Sequence, residues 1–85
     1  MSFPQLNWIV EKAAELLEDK VKEGPLSEKD VEIAFEILAK PRMDHIMSSL
    51  SGRIKESEAR DYIMMKLRER AKLLNTQHWG VSEKI

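Results

Sequence analysis

The residues that could do chemistry in this chain are few, and their spacing is uninformative. Glu11, Glu15 and Glu18 recur at helical spacing, and carboxylates so placed can coordinate a divalent ion or move protons. Lys12 and Lys22 interleave with them, which is the pattern of a solvated helix face. His45 and His78 lie far apart and there is no cysteine. Asp44 follows the chain directly into His45, but adjacent helical residues do not share a face, so nothing has metal-ligand spacing. Ser48, Ser49 and Ser51 lack a base and an orienting group and read as helix-end polar residues. Three scattered glycines cannot form a phosphate cradle. The sequence therefore points away from an enzyme: no catalytic residue, no cofactor and no metal is expected.

The cations carry a second chemistry. Net charge is −1, but residues 1–40 sum to −4 and residues 41–85 to +3, with all five arginines in the second half. That asymmetry suits two halves that attract each other. It also suits a basic face for nucleic acid, although such domains are usually far more basic overall. Residues 43–67 have the order of a helix-turn-helix. Their connector is long for that motif, and Glu58 and Asp61 would meet phosphates unfavourably at the start of the second helix. Arg60, Lys66, Arg68, Arg70 and Lys72 do not fall on one face.

The elements that must carry these residues are all helices. The clearest runs from Ala59 to Leu74, where Ile63, Leu67 and Leu74 form an apolar stripe flanked by Ala59, Met64 and Ala71. Arg70 falls inside that stripe and Arg60 at its edge. An arginine cannot shed its charge on burial, so each must snorkel, pair with an acid of an earlier helix, or meet a partner. The first helix starts at Ser2-Phe3-Pro4-Gln5, a capping-box pattern with proline in the first turn, and runs to about Lys22. Its stripe is Leu6, Val10, Ala13, Leu17 and Val21, widened by Ile9, Ala14 and Leu16. Gly24-Pro25 ends it. Ser27 caps a second helix, Glu28 to Ala39, in which Val31, Ala34, Phe35 and Leu38 form one stripe and Ile33 and Ile37 a second flank. Pro41 stops that helix. Met43, Ile46, Met47 and Leu50 give a short third helix closed by Gly52. Ser57 caps the last helix and Asn75 ends it.

The fold expected is an all-α, compact bundle of four helices, the third short, occupying residues 1–75, with an irregular C-terminal tail over 76–85. At 85 residues only about 60–65% of the unfolded surface is buried, so the core is thin. The absence of cysteine fits a reducing compartment. No stretch approaches the ~20 apolar residues of a membrane span, and the N-terminus lacks a signal-peptide pattern, so a cytoplasmic protein with no membrane partner is expected.

Several residues stand outside their helices' apolar stripes. Trp8 falls among Lys12, Glu15 and Asp19. Met65 points to the solvent side of the last helix, and Trp79 sits in the tail, folded back over the bundle towards Trp8 or free to anchor a partner. With Ile33, Ile37, Arg60, Lys66 and Arg70 they make the candidate partner-binding set, because exposed tryptophan, methionine and arginine are typical of interaction surfaces. The function expected is a small non-enzymatic module, an adaptor, regulator or subunit, that binds another protein or itself. The alternative is a nucleic-acid-binding regulator that uses the basic helix 59–74.

Overall fold

The computed structural model describes residues 4–48 and 54–81. It is an all-α bundle of four helices: α1 (Pro4–Lys20), α2 (Glu28–Ala34), a short α3 (Lys40–Ile46) and a long α4 (Glu56–Trp79). Leu6, Ile9, Val10, Ala13, Ala14 and Leu17 bury the inner face of α1. One 3₁₀ turn, Val21–Glu23, closes α1 before Gly24-Pro25, as the glycine-proline pair predicts. The Ser27 N–H then donates to the Asp30 carboxylate at 2.9 Å, half of a capping box that starts α2. The Ser2 cap and the Leu50–Gly52 closure fall outside the described residues.

Pro41 does not stop the second helix. A π-turn, Phe35–Ala39, joins α2 directly to α3, with the Lys40 N–H reaching back to the Phe35 carbonyl. The wider turn gives the proline ring room, and its missing N–H falls in the first turn of α3, where it costs least. The core also requires this turn. At about 100° per residue, the face of Val31, Ala34, Phe35 and Leu38 would next bring Arg42 inward. The π-turn takes up one extra residue, so Met43 occupies that place and is only 2% exposed. Arg42 moves to the rim, where its Nη1 donates to the Leu38 carbonyl at 2.8 Å.

α4 is longer at both ends than its stripe suggests. It starts at Glu56, and the Glu58 carboxylate accepts from the Lys55 N–H at 3.3 Å, so the cap lies two residues before the expected Ser57. Nor does Asn75 end it. The helix runs on to Trp79, and Gly80 terminates it at φ 69°, a left-handed conformation that glycine adopts without a Cβ penalty. The buried residues of α4 are the stripe expected, Ala59, Ile63, Met64, Leu67, Ala71 and Leu74, with Asn75 added.

Inter-helix bonds set the directions. Tyr62 Oη donates to Asn7, Arg70 pairs with Glu11 and Glu18, and Trp79 Nε1 donates to the Val21 carbonyl. Both partners advance together, so α1 and α4 run parallel. Arg60 lies over the Phe35 ring, Arg68 binds Glu28, and Asn75 binds Leu26. Here one partner advances as the other recedes, so α2 is antiparallel to α4. Lys20–Asp30 and Arg42–Trp8 give the same relation between α1 and α2–α3. The bundle is therefore up, down, up, and it measures 41 × 22 × 18 Å. The 24 residues of α4 span about 36 Å at 1.5 Å each and set the long axis.

Candidate interaction surface

The outer face of α4 is built from residues three and four apart, Tyr62, Lys66, Glu69 and Leu73, with Met65 on its flank. Burial of Ile63, Leu67 and Leu74 fixes the rotation of the helix and leaves this face outward. Leu73 is 51% exposed and Met65 46%. Tyr62 is half-buried; its hydroxyl donates to Asn7 Oδ1 at 2.6 Å, and Lys66 Nζ stands 5.7 Å from the centre of its ring. Tyr62, Lys66, Glu69 and Leu73 also form the α4 wall of an open groove of about 610 Å³ between α1 and α4. Val10 forms its floor, and Asn7 and Glu11 line its α1 side. Arg70 closes it inward, bound to Glu11 and, at 3.6 Å, to Glu18.

A second feature lies at the junction of α1 and α3. Trp8 is 49% exposed. Arg42 approaches its ring to 5.7 Å and Lys12 to 6.0 Å, both within cation–π range. With Pro41, His45 and Ile46 the indole walls a shallow cleft of about 350 Å³. Trp79, 46% exposed, folds back on the bundle, but not over Trp8. Its indole N–H donates to the Val21 carbonyl at 2.6 Å, at the opposite end of α1 and about 20 Å from Trp8 at 1.5 Å per residue.

A third groove, of about 640 Å³, separates α2 from α4. Arg60 stacks 5.5 Å from the Phe35 ring, and Arg68 holds Glu28 through Nε at 2.9 Å. Glu32, Glu36 and Asp61 share this groove with the two arginines. Ile33 of α2 is half-buried, and Ile37 of the π-turn that follows is 58% exposed.

The candidate residues thus divide among separate surfaces. Lys66 lies on the outer face of α4, with Met65 on its flank and Arg70 at its border. Trp8 lies on the α3 side, Arg60 in the α2 groove, Ile33 on α2 and Ile37 on the π-turn after it, and Trp79 at the far end of α1. The three glutamates of α1 are engaged by cations: Glu11 and Glu18 by Arg70, Glu15 by Lys12 at 3.8 Å. Among the described residues no three His, Cys, Asp or Glu converge closely enough to hold a metal ion.

Tyr62, Glu69 and Leu73 were not among the residues singled out from sequence, although their 62-66-69-73 spacing was there to be read. Only two of the four are apolar, which hides this face from a search for hydrophobic period. Compared with family models, with characterised proteins and with solved structures, the chain finds no match.

Proposed function

We propose that the chain is a non-enzymatic protein-interaction module, with the outer face of α4 as its principal contact surface. The observation that carries this reading is the strip of Tyr62, Met65 and Leu73. It pairs two large, half-exposed side chains with a tyrosine on one rigid helix, alongside an open groove. Scattered exposed apolar residues are ordinary, but large apolar side chains interleaved with Lys66 and Glu69 along one helix face suit a contact surface. Trp8 and Ile37 are secondary anchors on other sides.

The nucleic-acid alternative is less well supported by the arrangement of cations. Arg68 and Arg70 are held by Glu28, Glu11 and Glu18, Arg60 lies on Phe35 among carboxylates, and Lys66 points to another side. A phosphate backbone would have to displace those acids. Residues 47–55 also separate α3 from α4, a longer connection than the ~3–4-residue turn of a helix-turn-helix.

A photoreactive residue placed at Met65, Leu73 or Trp8, with Asp19 as an exposed polar control, tests the proposal in the cells that make the chain. Protein adducts from the first three positions and none from Asp19 are expected. Silence at all four would sink the proposal. So would tight binding of labelled DNA or RNA that weakens steeply between ~50 and ~200 mM salt, the signature of phosphate-driven association.

A further inference from the structure

We infer that the outer face of α4 is the seam of an antiparallel homodimer, with a two-fold axis passing between Leu67 and Arg68 of each copy. The inference rests on the protein-interaction reading above and names its partner as a second copy of this chain. Tyr62, Lys66, Glu69 and Leu73 follow one another at intervals of four, three and four. That is the seam spacing of two helices packed by knobs into holes.

A two-fold axis at that point sets Lys66 against the partner's Glu69 and Glu69 against the partner's Lys66. It likewise sets Tyr62 against the partner's Leu73 and Leu73 against the partner's Tyr62. The face is therefore complementary to itself in charge and in apolar surface, as an isologous contact requires. A parallel, in-register pairing would put Lys66 beside Lys66 and Glu69 beside Glu69, so the charges also select the direction.

The two charges are available for this. Glu69 has no ion-pair partner in its own chain among the described residues, and Lys66 meets only the Tyr62 ring. Neighbouring cations behave differently, Arg68 and Arg70 being committed to acids of α1 and α2. On the flank, Met65 falls beside the partner's Lys72, whose aliphatic stem covers apolar surface. The groove over Val10 leaves space next to the seam for the partner's side chains. From Tyr62 to Leu73 the seam is only about 17 Å long, so association in the micromolar range is expected.

Sedimentation equilibrium on the full chain, from low to high micromolar concentration, tests this with three variants. The wild type should approach twice the chain mass. Lys66→Glu and Glu69→Lys should each weaken association at least ~10-fold, since each puts two like-charge pairs into the seam. The double variant Lys66→Glu with Glu69→Lys should recover the dimer, because the swapped charges meet again across the axis. Helical circular dichroism verifies that each variant folds, as is expected of exposed substitutions. A wild type that stays monomeric overturns the inference. So does a dimer that ignores both single reversals, or one that the double reversal fails to restore. Any of these results, together with protein adducts from Met65, would leave the interaction reading intact and fail only the homodimer.

Discussion

Asn75 has no exposed surface and gives its whole amide to one residue. Its Oδ1 accepts from the Leu26 N–H at 2.6 Å and its Nδ2 donates to the Leu26 carbonyl at 2.9 Å. Leu26 lies between Gly24-Pro25 and the α2 cap, where neither backbone group belongs to a helix ladder. The side chain of α4 thus completes the backbone of the α1–α2 turn. Asn75→Ala would leave a buried donor and a buried acceptor unpaired, and a loss of about 2–4 kcal/mol is expected from the usual cost of ~1–3 kcal/mol per group. Urea unfolding measures it, and a loss within ~0.5 kcal/mol, the ordinary range for a surface change, would refute the clamp. From sequence, Asn75 reads as a helix terminator because asparagine tolerates the left-handed cap position. Its actual partner is far along the chain, and no local pattern announces it. Arg70 was more legible. A guanidinium inside an apolar ladder must find an acid or a partner, and Glu11 and Glu18 supply two carboxylates at its side.

At the scale of the elements, helix periodicity located the buried stripes of α1 and α4, while the later part of the second helix and the boundaries followed tertiary demands. The stripes of α1 and α4 are those their spacing predicts, since burial follows the 3.6-residue repeat directly. The joint at Pro41 departs from its local signal. Proline normally ends a helix, yet the core asks for Met43 where an uninterrupted α-helix would deliver Arg42, and the π-turn satisfies both. This makes a specific forecast for Pro41→Ala. In a regular helix interior, removing proline should gain about 3 kcal/mol. Here the ring is already accommodated and the phase of the helix is held by Phe35, Ala39 and Met43. The expected gain is therefore within ~1 kcal/mol, far short of the interior value. Equilibrium unfolding decides between them, and a gain of the full interior value would mean that Pro41 strains an ordinary helix. The end of α4 was hidden for a related reason. Thr76 to Trp79 carry no apolar period, and they stay helical because Trp79 is tied to Val21 and Gly80 supplies the cap.

For the molecule as a whole, the fold class was legible and the proposed contact surface only partly so. Periodicity reports what a chain buries against itself, whereas the outer face of α4 is half apolar and half charged, and its pattern appears only when the buried face fixes the rotation of the helix. The charge asymmetry was plain in the sequence, and the structure gives it a use. The acidic first half and the basic second half meet through Arg68–Glu28, Arg70–Glu11 and Arg70–Glu18. These pairs are partly exposed, so each contributes at most about 1 kcal/mol and salt screens it. With a net charge of only −1, overall self-repulsion is negligible, and screening mainly removes attraction between the halves. Raising NaCl from ~50 to ~500 mM should therefore lower the unfolding free energy by roughly 1–2 kcal/mol. Replacing Arg68 and Arg70 by Met should remove most of that dependence. Chemical unfolding by urea, which is uncharged, reads the change directly. Stability that rises with NaCl in the wild type would mean that like-charge repulsion outweighs these contacts, and that the asymmetry between the halves does not hold the bundle together.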